Sequence, residues 1–250
     1  MPSIQIQDRI FEDIRAIIFD KDGTLEDSED VLRQLGQVRS RRIDAQIPGI
    51  GDPLLMAFGI GGDTLDPTGL MAVGTRQENE IAAAAYIAET GRGWIESREI
   101  ARRAFEEADE PFKNRSPSPL FVGSLEVLKS LSEARLKLGI LSSASTEQVR
   151  AFVSHHQLDN YFGFVQGAHS HLSKPDPVLF LQACQTLGVE ASATLMVGDS
   201  AADIEMAKNA GAAGCIGICW RRQSADHLHA ADVVISQIDA IQIVNERQLN

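Results

Sequence analysis

Asp20 and Asp22 stand one residue apart at the end of an apolar run, Ala16–Phe19, and Gly23 and Thr24 follow at once. A carboxylate fixed at a strand end can attack phosphorus as a nucleophile. A second carboxyl two residues on can protonate the leaving oxygen and then take a proton from water. Lys21, between them, points the other way if the backbone stays extended. Gly23 lets the chain turn sharply and brings backbone N–H groups towards an anion, with Thr24 beside it. Two acids so close repel each other and an anionic substrate, so positive charge has to come from elsewhere in the chain.

Three other stretches can supply what that turn lacks. In GDSAAD, Asp199 and Asp203 lie four apart at the start of a helical pattern, on one helix face or its cap. With Asp20 they can hold Mg²⁺, which takes a few carboxylates, waters and a phosphate oxygen. The plainer reading, Asp199 or Ser200 as a helix cap, explains one residue and leaves Asp203 over. In SKPDP, Lys174 can neutralise both the nucleophile and a transferred phosphoryl group; on its own, a lysine before proline is ordinarily a solvated loop residue. LSSAS offers Ser142 and Ser143 as phosphate donors, with Ser145 or Thr146 opening the next helix.

Elements that bring these residues together are legible as short apolar runs, read as buried parallel strands: Ala16–Phe19, Leu136–Leu141, Thr194–Val197, Cys215–Cys219 and Asp232–Ile235. Helical patterns alternate with them at Ser124–Ala134, Thr146–His155, Pro177–Leu187 and Ala202–Ala210. Such alternation predicts an α/β fold, a Rossmann-like parallel sheet, whose ligands bind at the carboxyl ends of the strands. Asp20, Ser142 and Asp199 all fall at such ends. One block breaks the alternation: residues 29–116 show no convincing strand and read as an inserted, mostly helical cap, with helices at Val31–Ile43, Gln77–Thr90 and Ser97–Ala108. The core is then 1–28 and 117–250. Polar LEDSED leads out of it and proline-bearing KNRSPSPL leads back, two connections of the kind that carry a hinged lid.

The chain has 250 residues, 44% of them hydrophobic, and a formal net charge of −12. That length supports a full core, and the acidic surface argues against nucleic acid or an anionic membrane as partner. No run of about 18 apolar residues and no secretory leader pattern is present. Cys184, Cys215 and Cys219 read as reduced thiols of a cytoplasmic protein, packed in the core.

In their order, FDKDGTLEDS, LSS, KPDP and VGDSAAD resemble the haloacid dehalogenase-like hydrolases. Among these, the chain is similar to the phosphatases with a helical cap after the first strand, such as the phosphoglycolate phosphatases. The resemblance covers essentially the whole chain. It implies Asp20 as the nucleophile that forms an aspartyl-phosphate, and Asp22 as general acid and base. It implies phosphate binding by Ser142 and charge stabilisation by Lys174. Mg²⁺ would sit on Asp20, Asp199, Asp203 and the main-chain carbonyl of Asp22. The dehalogenases have no acid at the place of Asp22. The phosphonate-cleaving members need a cap lysine for a Schiff base, and no lysine lies between Lys21 and Lys113. Lys21 itself departs from relatives, which are usually apolar there, and carries no expected role.

The implied enzyme hydrolyses a small metabolite phosphate, phosphoglycolate or a sugar phosphate. A β-phosphoglucomutase-like mutase shares every core residue and stays open, as does a catalytically silent phosphate-binding module. In the cap, Arg76 or Thr75 can meet a substrate anion, or Arg76 can pair with Glu80 at helical spacing. Arg39, Arg41 and Arg42 read as a solvated helix face. The pairs His169/His171 and His227/His229 lack a third ligand and read as surface or structural residues. Oligomeric state is not legible.

Overall fold

The structure is a computed structural model, and it describes residues 2–113, 115–169, 172–220 and 224–244. The chain divides into two compact units: Met1–Asp27 with Pro119–Asn250, and Ser28–Ser118.

The first unit opens with β1 (Ser3–Ile6), β2 (Arg9–Phe11) and β3 (Ala16–Phe19). All four residues of β3 are buried, because the strand lies at the centre of a sheet covered on both faces. The second unit, which contains the next seven elements, is described below. After it come α6 (Ser124–Glu133), β6 (Lys137–Ser145), α7 (Thr146–His155), β7 (Phe162–Ala168), α8 (Pro177–Leu187), β8 (Thr194–Gly198), α9 (Ala201–Asn209), β9 (Gly214–Ile218), β10 (Val233–Ile235) and β11 (Ile241–Val244).

Six strands form a parallel sheet in the order β10-β9-β8-β3-β6-β7. Period-two geometry splits each strand between two cores. Ile17 and Phe19 join Leu138, Ile140, Leu195 and Val197 on one face. Ala16 and Ile18 join Leu141 and Met196 on the other, under Phe180 and Ile204 of α8 and α9. After β3 the chain fills the β6–β7 side and then returns to β8 on the opposite side. The neighbours of β3 are therefore reached in two directions, and the order reverses beside it. At such a point the loops after adjacent strands part and leave a crevice at their carboxyl ends.

The expected sheet is present, and the structure differs from the sequence reading in three places. β7 was not read as a strand, since it carries Gly163 and Gly167 and is only partly buried. β11-β1-β2 forms a separate antiparallel sheet; its strands are four residues or fewer, and β1 meets β11 from the far end of the chain. β6 runs on through Ser145, so the LSSAS motif is strand rather than loop. Cys184, Cys215 and Cys219 are buried within the core.

The second unit comprises α1 (Glu29–Asp44), α2 (Gly51–Phe58), β4 (Ile60–Gly61), β5 (Thr64–Leu65), α3 (Leu70–Val73), α4 (Arg76–Glu89) and α5 (Trp94–Lys113). It has its own core, with Ile43, Leu54, Phe58, Ala83, Ile87, Ala101 and Phe105 at its centre. The strandless reading of this block is corrected by the small β4–β5 hairpin, and α2 and α3 lie in the glycine-rich stretch. Arg39 is also corrected: it is buried, stacked over Phe105 and ion-paired to Asp109 at 2.8 Å, while Arg41 and Arg42 are exposed. Arg76 pairs with Glu80 and Asp109, each at 2.7 Å, and Thr75 caps α4 in a reciprocal box with Glu78.

Candidate active site

Three adjacent strands end at one edge of the sheet. Asp20 follows β3, Asp199 follows β8, and Ser142 lies in the last part of β6. The Asp20 N–H donates to the Val197 carbonyl at 2.8 Å, which extends the β3–β8 ladder by one step and fixes the carboxylate at the rim. The chain then turns. The Lys21 carbonyl accepts from the N–H groups of Leu25 and Glu26 at 2.9 Å each, and the Gly23 N–H donates to the Glu26 carbonyl at 3.0 Å. Gly23 adopts φ +73°, and a Cβ there would lie 2.1 Å from Asp199 Oδ2. Glycine is required twice over, by its left-handed backbone and by a carboxylate occupying the space of a side chain.

Carboxylate oxygens of Asp20, Asp199 and Asp203 all lie within 4.8 Å of one another. Lys174 reaches into this group with a side chain only 4% exposed. Its Nζ stands 2.5 Å from Asp20 Oδ1 and 2.6 Å from Asp203 Oδ1. Asp203 is held from behind as well. Ser200, the N-cap of α9, donates its hydroxyl to Asp203 Oδ2 at 2.6 Å, and the Asp203 N–H donates back to Ser200 Oγ. The cap reading therefore does account for one oxygen of Asp203, contrary to the sequence argument, and leaves the other facing Lys174.

Burial pushes the Asp20 carboxyl up. The Lys174 ammonium pulls it back, Asp203 and Asp22 push again, and the balance is about 7 against an ordinary 3.8. Loss of solvent around its carboxyl also holds Asp199 well above the carboxylate range, with Asp20 and Asp203 adding to it. Burial works to lower Lys174, but the two aspartates facing it outweigh that and raise it above an ordinary ammonium.

Asp22 turns another way. Its Oδ1 accepts from Lys21 Nζ at 2.6 Å and its Oδ2 lies 3.4 Å from Ser142 Oγ. Lys21, expected to face away, is buried and is bound to both Asp22 and Glu26. Ser142 Oγ also accepts the N–H of Ala144 at 3.0 Å. Ser143 is partly exposed; Thr24 is buried, and its carbonyl accepts from Trp220 Nε1 at 3.2 Å.

These features can be compared with known proteins. Residues 14–211 match the family described as haloacid dehalogenase-like hydrolase. The chain belongs to the haloacid dehalogenase-like hydrolases. It is 30% identical over 226 residues to the "Probable phosphatase IndB" of Dickeya dadantii, covering 86% of each chain. Identity to a phosphoglycolate phosphatase of Vibrio vulnificus is 28% over 223 residues, 88% of this chain and 90% of that one. In fold it is similar to a crystal structure from Haemophilus somnus described as a "predicted phosphoglycolate phosphatase". That likeness has a TM-score of 0.64 at 21% identity and covers 89% and 93% of the two chains. The expected family, the α/β fold and a phosphatase within that family are borne out.

A metal fits the site of this haloacid dehalogenase-like hydrolase. Three crowded carboxylates face the ammonium of Lys174, so ionising all three leaves negative charge that a cation would offset. All the donors are hard oxygens, the set that divalent magnesium takes. Asp203 Oδ1 has no hydrogen-bond partner among the described residues and meets Lys174 as an ion pair alone. The side chain of Asp22 is not in the cluster.

Two further residues support the surroundings of this site. His227 Nε2 lies 3.0 Å from the Asp199 carbonyl oxygen, which positions the backbone of a cluster acid. Trp220 stacks on Phe121 at 4.2 Å between ring centroids while holding Thr24. Both come from the chain after β9; neither spacing nor type sets Trp220 apart in the sequence, and the His227/His229 pair, read as surface or structural, carries no sign of the Asp199 carbonyl. His169 pairs through its backbone with Leu172, and His171 lies outside the described residues.

Proposed function

We propose that this phosphatase is a Mg²⁺-dependent phosphomonoesterase of a small phosphorylated metabolite, phosphoglycolate or a sugar phosphate, working in the cytoplasm through a phosphoryl group carried on Asp20. The observation that supports it most is the division of labour between neighbours. Asp20 points into a carboxylate cluster that Lys174 offsets only in part, and Asp22, two residues on, is held apart from it between Lys21 and Ser142. The names of the curated relatives support the substrate class.

In the first step an oxygen of Asp20 attacks phosphorus and the bond from phosphorus to the leaving oxygen breaks. Asp22, as the acid, gives that oxygen its proton. Lys174 lies beside Asp20 and offsets the negative charge brought by the phosphoryl group. Ser142 faces the phosphate oxygens, whereas the N–H groups of Gly23 and Thr24, expected to help, donate to the Glu26 and Lys21 carbonyls within the turn. In the second step Asp22 takes a proton from water, water attacks phosphorus, and the Asp20–phosphorus bond breaks to release inorganic phosphate. Asp20, Asp199 and Asp203, with the Asp22 carbonyl, would hold Mg²⁺, which when bound supplies positive charge for the phosphoryl oxygens. The unit of residues 29–116 is the proposed cap that reads the leaving group, and the core is 1–28 and 117–250.

A screen of phosphate release over phosphoglycolate, sugar phosphates, nucleotides and a chromogenic ester, with and without Mg²⁺, tests the proposal. Turnover should need Mg²⁺ and vanish in Asp20→Asn. Normal turnover by Asp20→Asn removes the nucleophile from the scheme. An isomerised hexose phosphate in place of free phosphate would make the enzyme a mutase.

A further inference from the structure

Lys21 is a buried lysine that the proposed mechanism leaves without work. It is 5% exposed, and so is Glu26, its partner five residues on. Its Nζ donates to Asp22 Oδ1 at 2.6 Å and to Glu26 Oε2, and it stands 5.6 Å from the centre of the Phe152 ring. A buried ammonium needs a counter-charge, and Glu26 supplies one. One carboxylate would serve that purpose; the contact with Asp22 is additional. It also divides the two oxygens of Asp22, since Oδ1 is taken by Lys21 and Oδ2 is turned to Ser142.

An ammonium has three donors and no acceptor. While Lys21 bonds Oδ1, the lone pair it uses cannot carry a proton, and the ammonium charge disfavours a proton on the other lone pair of that oxygen. A proton on Asp22 is thereby favoured on Oδ2. From this we propose that Lys21 is a positioning residue, which pins Oδ1 of Asp22 and makes Oδ2 the oxygen that gives and takes the proton. Glu26 holds Lys21 in that place. The turn supports the arrangement: the Lys21 carbonyl accepts the Glu26 N–H, and Gly23 donates to the Glu26 carbonyl, so the three side chains ride on one closed loop.

The proposal rests on the acid–base reading of Asp22, and its test separates the two. Proton donation matters for a poor leaving group and little for a good one. Two esters are compared by kcat/KM, which reports steps up to phosphoryl transfer: phosphoglycolate, an alkyl ester, and p-nitrophenyl phosphate. Lys21→Met alone strands Glu26 in the interior and can fail to fold. The double variant K21M/E26Q removes both charges and keeps the shapes. It should melt close to the wild type and require the same Mg²⁺ concentration. Its kcat/KM should fall about 30-fold or more on phosphoglycolate and only a few-fold on p-nitrophenyl phosphate, the contrast expected of a misdirected acid. Asp22→Asn should show the same contrast more strongly.

Equal losses on both esters, or none, in a folded K21M/E26Q overturn the positioning role while Asp22→Asn still shows its contrast. Absence of the contrast in Asp22→Asn overturns the acid role and the inference with it. A K21M/E26Q that does not fold makes Lys21 and Glu26 structural and also overturns the inference.

Discussion

Nζ of Lys174 lies 2.5 Å from Oδ1 of Asp20, although 154 residues separate the two in the chain. The same ammonium pairs with Asp203, so one cation joins the end of β3 to the first turn of α9 through their acids. Breaking a buried pair by removing one partner costs about 3–5 kcal/mol, because a charge stays behind uncompensated. Lys174→Met should lose that much stability in EDTA and regain part of it in Mg²⁺. Thermal melts in both conditions check this. Wild-type melting of the variant in EDTA would show that the ion pair does not form.

The metal-free site should resist ionisation. Asp20 titrates near 7 and Asp199 well above the ordinary value, so between about pH 4 and 7 the folded state binds more protons than the unfolded chain. Stability contributed by these groups is therefore present at low pH and is lost as pH rises through that window. Lys174, raised above its usual value, keeps its contribution until well past neutrality. A divalent cation neutralises the ionised cluster. Mg²⁺ should thus raise Tm more at pH 8 than at pH 5, and its binding should release protons near pH 6, measurable by calorimetry in buffers of different ionisation enthalpy. A Mg²⁺-induced shift that ignores pH would contradict the cluster.

Gly23→Ala should damage the site without unfolding the core. Its Cβ would meet Asp199 Oδ2 at 2.1 Å, and φ +73° strains any side chain. Either Asp199 moves or the turn opens, and both disturb the cluster. Circular dichroism close to the wild type with turnover reduced about 100-fold or more is the expected pair of results; full activity would mean that the turn is looser than described.

Ser200→Ala should act at two levels. Loss of a helix N-cap costs about 1 kcal/mol, readable by urea denaturation. Asp203 Oδ2 also loses the hydroxyl that orients it. Removing such a supporting hydrogen bond typically weakens metal affinity about 10-fold. A Mg²⁺ titration of activity reads the second effect, and an unchanged Mg²⁺ requirement would confine Ser200 to capping.

In the helical unit, Arg39→Met should destabilise by about 3 kcal/mol. Asp109 would keep Arg76, its other ion-pair partner among the described residues, and the stack on Phe105 would be lost. Paired with Asp109→Asn in a double-mutant cycle, the two changes should be strongly non-additive; simple additivity would assign Arg39 to packing alone.

From the sequence alone came the sheet-and-helix alternation, the interruption after β3 and the residues that cluster. Apolar runs such as Ala16–Phe19 and the acids that end them are local patterns, and strand ends of a parallel sheet converge as a matter of topology. Asp20, Lys174, Asp199 and Asp203 could therefore be named together before any distance was known. Other features depended on pairing across the chain. β1 and β11 are each too short to declare themselves and form a ladder only with a partner at the far end. Arg39 reads as surface until Asp109, 70 residues away, is seen to neutralise it. Lys21 reads as pointing away from the two acids until the turn brings Asp22 and Glu26 to its ammonium, and His227 has no local pattern that links it to the Asp199 carbonyl. Residue type and spacing report what a side chain is able to do; the low dielectric and the close partners that decide what it does exist only once distant segments pack together.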